Sequence, residues 1–308
     1  MKKSKMKMST KMSDRIFDIC NTIFMLFIIV IMLYPMLNTL AVSFNNATDS
    51  LRGGIYLWPR YFTTNNYRVV FQNPQLLTAF RNSVLRTVIS TVLGIFVCAM
   101  AGYITSRREF VFGKPITIYF LITLYLMPGL IPTFFLFADL GLVNSFHVYW
   151  LPGLFGAFNV IVIRAFIHGL PDSLIEAAHI DGAGEFRTFM QIVLPLCKPV
   201  LATVGLWIAV GNWNDWMTTF IYAPANPSLT VLQFELHRVL ASAMAQMSGQ
   251  QAGFMAQAAA GMGGAAENIT PVAIRATITI VAVIPILCVY PFLQKYFVKG
   301  VHVGSVKG

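Results

Sequence analysis

The apolar residues of this chain fall in long unbroken runs rather than in the one-sided stripes of water-soluble helices. Ile23 to Leu33 reads IFMLFIIVIML, without a polar residue. Its Ile, Leu, Phe and Val side chains favour bilayer insertion by roughly 4 kcal/mol together, at about 0.3–0.6 kcal/mol each, which offsets the flanking Asn21 and Asn38. A spanning helix needs about 20 mostly apolar residues. The pattern predicts about six of them: Cys20–Val42, Asn82–Ile104, Ile116–Ala138, Val148–His168, Val200–Tyr222 and Val272–Phe297. Several contain proline (Pro35, Pro128, Pro132, Pro152, Pro285, Pro291), which is tolerated where a neighbouring helix or a cavity satisfies the freed carbonyl. The predicted fold class is all-α, a polytopic membrane protein.

The segments between the runs are unequal. Ser106–Pro115 and Asp139–His147 are short and simply turn the chain around. Three others exceed what a turn requires. Ser43–Pro74 holds Gly53-Gly54 and the aromatic residues Tyr56, Trp58, Tyr61 and Phe62; Gly169–Pro199 carries a motif described below; Ala223–Thr270 includes Met244–Ala266, rich in Ala, Gly, Met and Gln. That last composition fits a mobile or weakly helical flap. The predicted organisation is a cytoplasmic segment 1–19, a transmembrane domain 20–298 and a cytoplasmic tail 299–308, with no second soluble domain.

Composition supports the membrane assignment. Of 308 residues 56% are hydrophobic and 11% charged, against about 25% charged in a soluble domain. The net charge of +10 would suit nucleic acid, but its distribution does not. With six spans and an inside N-terminus, Lys2, Lys3, Lys5, Lys7, Lys11, Lys114, Lys198, Lys295, Lys299 and Lys307 all fall on the cytoplasmic side, joined by Arg107 and Arg108. The proposed outer loops hold Arg52, Arg60, Arg68 and Arg238. This positive-inside bias predicts both termini in the cytoplasm, with the chain crossing the membrane several times. The opening MKKSKMKMSTKMSDR and the run after it are read as a retained first helix, because the run is too long for a signal h-region and no A-x-A site closes it. Cys20, Cys98, Cys197 and Cys288 form no C-x-x-C pair, and His147, His168, His179, His237 and His302 do not cluster. No metal site, catalytic group or bound cofactor is predicted.

The inner loop Gly169–Pro199 reads GLPDSLIEAAHIDGAGEFRTFMQIVLPLCKP. Ser173 followed by Glu176 is a capping-box spacing, with Pro171 just before it. The helix it opens, Leu174–Ile180, should stop at Asp181-Gly182, where glycine takes the left-handed conformation. A second short helix runs from Gly184 to about Val193 before Pro195 breaks it. Ile180, Phe186, Phe189 and Ile192 then have no core of their own, and such a patch needs a partner or a membrane surface.

Glu176-Ala177-Ala178, Asp181-Gly182-Ala183, Phe189, Ile192, Leu194-Pro195 and Pro199 resemble the EAA loop of ABC importer permeases. The resemblance implies the type I importer permease fold. It also implies that Glu176, Ala177, Ala178, Asp181, Gly182, Ala183, Phe186 and Phe189 form a coupling helix seated on a cytoplasmic ATPase, with Glu176 making charge-assisted bonds. The end of the first run (LYPMLNTLAVSFNN), the segment WNDWMTTF and the tail YFVKGVHVGSVKG are similar to the second permease of carbohydrate importers. In that family the tail reaches the ATPase, which assigns such contacts to Lys299, Gly304, Ser305 and Lys307. The chain lacks G-x-x-x-x-G-K-[ST], and Gly113-Lys114 runs straight into Pro115. The expected chain is therefore no enzyme; ATP and Mg would sit on a separate homodimeric ATPase. The other implied partners are a second, non-identical permease, an extracellular or lipid-anchored sugar-binding protein and membrane lipids, with no nucleic acid. Import of an oligosaccharide by alternating access is the implied function, with this chain forming half of the path.

Within the fifth run, Asn212, Asp215 and Thr219 share one helical face, and Trp213, Trp216 and Phe220 an adjacent one. A polar stripe beside an aromatic stripe suits a sugar path; an aromatic belt with interhelical hydrogen bonds is the alternative. Asp215 within a span costs about 2.5–3.5 kcal/mol unless paired or wet, so Arg86 or Arg275 is expected to pair with it. A proton-coupled secondary transporter would need carboxylates facing one another, and Asp215 stands almost alone. A permease for peptides or phosphonates would share the EAA loop but not the WND segment and VKG tail. A structural membrane scaffold would leave the loop unexplained.

Overall fold

The structure is a computed structural model that describes residues 12–126, 128–247 and 270–303. Along them run the helices α1 (Met12–Ser43), α2 (Ala47–Ser50), α3 (Asn65–Gln72), α4 (Pro74–Ser106), α5 (Gly113–Tyr125), α6 (Leu130–Asp139), α7 (Ala157–Ile167), α8 (Asp172–Ile180), α9 (Glu185–Thr188), α10 (Leu194–Leu196), α11 (Lys198–Asn214), α12 (Met217–Tyr222), α13 (Leu232–Met247) and α14 (Pro271–Val303). The all-α expectation holds. Three stretches are long and apolar enough to cross a membrane alone: Asp14–Ser43, Pro74–Ser106 and Pro271–Cys288. Three bent helix pairs also qualify, which raises the number of candidate spans among the described residues to as many as six.

The interior runs are less regular than their hydropathy suggests. The third breaks between α5 and α6, where Pro128 lacks an amide proton and Gly129 sits at φ 80°. The fourth, expected as one helix over Val148–His168, is a short 3-10 turn at Phe146–Tyr149, a non-helical stretch through Pro152-Gly153, and only then α7. The fifth, expected over Val200–Tyr222, stops at Asn214 and restarts at Met217, with Asp215 extended at φ −77°, ψ 112°. The Asp215 side chain causes that stop. Its Oδ1 accepts from the Thr218 backbone N–H (3.1 Å), the local competition by which aspartate opens helices rather than continuing them.

Two compact units divide the chain. The first comprises Met1–Val70 with Ala265–Ile280. Its described part is organised by Asn45, fully buried, whose amide donates to Asp49 Oδ2 and Ser50 Oγ (both 3.0 Å) while its Oδ1 accepts from Tyr61 N (2.8 Å). Asn66 ties the carbonyls of Ser43 and Asn45 together (2.9 and 2.8 Å), and Arg60 Nε holds Asp49 at 3.0 Å. The loop after α1 is therefore braced rather than free. Its aromatic residues Tyr56, Trp58, Tyr61 and Phe62 stay exposed.

The second unit comprises Phe71–Gly264 with Val281–Gly308. Helix α4 is its axis, with α7 and α11 packed along it. Glycines permit the approach. A Cβ on Gly102 would meet Ile163 Cγ2, the Arg164 amide nitrogen and the Val160 carbonyl at 3.2–3.3 Å, and one on Gly205 would meet Ile95 Cδ1 at 2.6 Å. Close backbone contact through small residues is how membrane helices gain packing energy where no hydrophobic drive exists. Cys98, Val160, Ile163, Val193 and Val204 are essentially fully buried in the resulting core.

Gly102→Val should force α7 away from α4 and cost about 1–3 kcal/mol, seen as a lower unfolding temperature in detergent. Gly211→Ala, where nothing lies within 4 Å of the added methyl, should leave that temperature unchanged or raise it through helix propensity, worth up to about 1 kcal/mol. Equal effects at the two positions would refute the close-packing account.

Candidate functional site

The loop between α7 and α11 is where sequence and structure converge. Helix α8 leaves α7 at a bend of 80°, and the helical run 185–196 meets α11 at 82°, so the short helices lie across the long ones rather than prolonging them. The glycine stop forms as expected. Gly182 has φ 76°, Ala183 N–H bonds to Ala178 O (2.9 Å) and Gly182 N–H to His179 O (3.0 Å), the paired bonds of a Schellman turn. The capping box does not form. Pro171 is the boundary residue, its carbonyl already accepting from Leu174 N–H (3.2 Å), so α8 starts at Asp172 and Ser173 lies inside its first turn. Glu176 is left exposed with no partner among the described residues.

The loop has two faces. Ile175 and Ala178 of α8 are buried, whereas Glu176, Ala177, Ile180 (86% exposed), Asp181 and Phe186 (65%) point outward, with Gly182 exposed between them and Ala183 half-buried. Two expectations are corrected here. Phe189, expected in the unpartnered patch, is 2% exposed and packs on Tyr103 and Phe96, with ring centroids 5.4 and 6.1 Å apart. Ala178, expected within the coupling surface, is buried against its own protein. The cause is the second helical run, whose Phe189–Val193 turn is a wide π turn. It relieves the clash that the Pro195 ring would make with the preceding carbonyls, and it turns Phe189 and Val193 together into the core. The helical run continues through Pro195 to Leu196 and bends at Cys197, beyond the break expected at the proline.

A polar clasp not predicted from the sequence fixes the loop to the end of α4. The Tyr103 hydroxyl donates to Glu185 Oε2, the Arg107 guanidinium lies 3.7 Å and His179 Nε2 3.4 Å from Glu185 Oε1, and Arg107 sits over the Tyr103 ring at 5.9 Å. Arg108 and Asp172 pair at 3.0 Å, but both are exposed, and such pairs give at most about 1 kcal/mol. The buried Tyr103 is the firmer anchor. Arg107, His168, Asp172 and Glu176 line a cleft of about 320 Å³ under α8. Position 103, at the inner end of a span, and Glu185, directly after a glycine, were the available signals; neither specifies the other.

The second candidate group is split. Asp215 Oδ2 accepts from Arg86 at 3.0 Å, and Arg86 also donates to the Asn212 carbonyl and lies over Tyr149 at 5.2 Å. Arg86 is thus the partner, and Arg275, the other cation considered, has no bond to Asp215. The shared polar face is not formed, because the helix is interrupted at Asp215. Thr219 is fully buried and donates to Tyr149 Oη (3.0 Å), whose own proton goes to the Leu229 carbonyl. Trp213 is 7% exposed, donating to Ala282 O (2.9 Å) and set edge-on to Phe80. These two fasten helices instead of lining a path. Asn212, Asp215 and Trp216 stay half-exposed, with Trp216 stacked on His237 at 4.1 Å.

Glu235, also missed, is 2% exposed and receives bonds from Thr230, Gln75 and Arg238, so the first turn of α13, in the long segment that begins at Ala223, is fixed. Residues 248–269 of that segment, and Gly304, Ser305 and Lys307 of the tail, lie outside the described residues; Lys299 falls within α14. No metal-binding cluster occurs among the described residues.

Comparison with known proteins agrees with this geometry. Residues 4–303 match the family described as "binding-protein-dependent transport system inner membrane component". The chain is 34% identical to the polygalacturonan/rhamnogalacturonan transport system permease protein YtcP of Bacillus subtilis, over 96% of this chain and 100% of that one. It is 28% identical to the arabinooligosaccharides transport system permease protein AraQ of Halalkalibacterium halodurans, covering 93% and 95%. Its fold resembles a chain from the crystal structure of a bacterial ABC transporter involved in import of the acidic polysaccharide alginate, with TM-score 0.82, 24% identity and coverage of 94% and 99%.

The Arg86 pair yields a double-mutant test. Asp215→Asn strands a buried guanidinium and should cost about 3–5 kcal/mol, read as loss of folded protein. Arg86→Gln combined with Asp215→Asn should recover a large part of that loss, since no buried charge is left alone. A double variant as damaged as the sum of the singles would rule out direct coupling.

Proposed function

Because this chain belongs to the binding-protein-dependent inner membrane transport components, and is the permease component of an ABC sugar importer whose ATP hydrolysis belongs to a separate subunit, we propose that it forms half of the translocation path and couples to the ATPase through α8 and the turn after it. The observation that carries this reading is the two-faced loop. Its inner face is built into the protein's own core through Ile175 and Phe189, with Ala178 also buried, so a force on the outer face reaches α4 and α11 without first deforming a flexible hinge. Its outer face offers Ile180 and Phe186 as apolar contacts, Ala177 as a site of close approach and Glu176 as an unspent carboxylate. That combination fits a groove with an apolar floor and a basic or N–H-rich rim.

The remaining assembly follows from the same membership. We assign a second permease, a homodimeric cytoplasmic ATPase beneath both, and an extracellular binding protein that delivers the cargo; the tail from Lys299 onward is proposed to reach the ATPase as well. Both termini are proposed to be cytoplasmic. The cargo is an oligosaccharide, in keeping with the names of the similar permeases. Those names divide on charge: polygalacturonan carries a carboxylate on its uronate units, whereas arabino-oligosaccharides are neutral.

The test is purification of this chain with its partners in mild detergent, wild type beside Glu176→Lys. Wild type should retain an ATPase and a second permease. The variant should keep the permease and lose about tenfold or more of the ATPase, the effect of replacing a charge-assisted bond by a like-charge contact. Recovery of this chain alone in both preparations, or full ATPase retention by the variant, would refute the coupling assignment.

A further inference from the structure

The unit built from the outer loop contains a polar cleft that the coupling mechanism does not use. Its volume is about 460 Å³, within the range of about 300–1,000 Å³ typical of small-molecule sites. The first two turns of α14 form one wall, and the end of α1 with the Gly53-Gly54 turn forms the other. Arg275 on α14 is its one cation and no carboxylate lines it. Asp49, on the nearby α2, is already held by Arg60 and Asn45, each at 3.0 Å. Arg275 itself makes no ion pair and no side-chain hydrogen bond among the described residues, so its fork of five N–H donors is unspent.

The other polar groups of the wall are committed in one direction. The Asn38 amide nitrogen donates to the carbonyls of Ile55 (2.6 Å) and Tyr56 (3.0 Å). The Ser50 hydroxyl donates to Asn46 O (2.9 Å) and the Thr279 hydroxyl to Arg275 O (2.8 Å). What remains is acceptor capacity: Asn38 Oδ1, the lone pairs of the Thr279 hydroxyl, and one lone pair of Ser50 Oγ, whose other takes the Asn45 amide at 3.0 Å. Gly53 and Gly54, at φ 68° and 69°, meet nothing within 4 Å of where a Cβ would stand, so their backbone shape leaves this side of the cleft bare.

We infer that this cleft binds the carboxylate of an acidic saccharide through Arg275, with the Asn38, Ser50 and Thr279 oxygens accepting from the sugar hydroxyls. The inference rests on the sugar-import reading and names the charge class of its cargo. A single guanidinium set among acceptors complements a polyhydroxylated carboxylate, which has one anionic fork and several O–H donors. A lipid phosphate fits less well. It too would satisfy Arg275, but a headgroup such as phosphatidylglycerol brings only two hydroxyl donors to the surrounding acceptors, fewer than a single sugar ring of an oligosaccharide and its neighbours supply. Because Asn45 and Asn66 brace the loop from behind, the wall is organised before the ligand arrives and little ordering cost falls on binding.

The test uses the complete transporter in nanodiscs of neutral or of anionic lipid, titrated with fluorescent tri-galacturonate and with its methyl ester. Wild type should bind the free acid about tenfold or more tightly than the ester, the discrimination expected of a charge-assisted hydrogen bond. Arg275→Gln should bind both at the ester's level, and Arg275→Lys should keep part of the preference. Co-purification of the partner subunits with each variant establishes that it has folded. A wild type that treats acid and ester alike, or an Arg275→Gln variant that keeps the preference, overturns the site. A preference that tracks the lipid charge rather than the side chain overturns it in favour of a lipid phosphate. The underlying reading fails separately: wild-type vesicles supplied with ATP and binding protein that accumulate neither oligomer nor a neutral oligosaccharide refute sugar import itself.

Discussion

A guanidinium with 1% of its side chain exposed has to be neutralised where it stands, and Arg86 is neutralised by Asp215. That requirement organises the part of the second unit around the junction of α11 and α12. The aspartate serves it by leaving the helix, since one oxygen faces Arg86 while the other accepts from the Thr218 backbone. The interruption ends α11 and restarts the chain as α12, whose Thr219 locks onto Tyr149. Tyr149 in turn lies beneath the Arg86 guanidinium. One buried charge therefore explains a broken span, a helix restart and the anchoring of the segment that follows. Removing both charges is the milder lesion because the membrane penalises an uncompensated ion far more than a missing pair.

At the opposite end the problem is mechanical. In the proposed coupling role the loop after α7 presents a surface to a partner and transmits displacement to long helices, and a surface helix alone would do only the first. The wide turn at Phe189–Val193 and the Tyr103–Glu185 clasp supply the second, one through packing and the other through a hydrogen bond to the end of α4. Loop and helix bundle thereby share one core.

Much of this was legible beforehand. Runs of apolar residues located α1, α4 and α14, glycine after Asp181 located the end of α8, and the cost of a lone carboxylate in a span singled out Asp215, with Arg86 or Arg275 as its partner. The rest was hidden for a physical reason. In a membrane chain lipid-facing and protein-facing positions are both apolar, so the pattern that separates inside from outside in water says little about which residues meet the core. Phe189 and Ala178 were misjudged on that account. The breaks at Pro152-Gly153 and Asp215 were hidden too, because hydropathy averages over a window and reports the depth of a segment rather than the path of its backbone. Pairings such as Tyr103 with Glu185 join residues 82 positions apart, which no local pattern encodes.

The wide turn also bears on which length changes the chain can accept. Such a turn holds one residue more than an α-helix would use over the same rise, so deleting a residue there would still let the backbone bonds re-form. The flanking segments would stay close to their present phase, whereas a deletion in the regular helix beside the turn would rotate everything on one side by about 100°, swinging either Phe189 or the exposed Phe186 to the wrong face. Between Gly184 and Cys197 the wide turn is thus a built-in length reserve: a residue can be given up there, while elsewhere in the run insertions and deletions act as a change of phase.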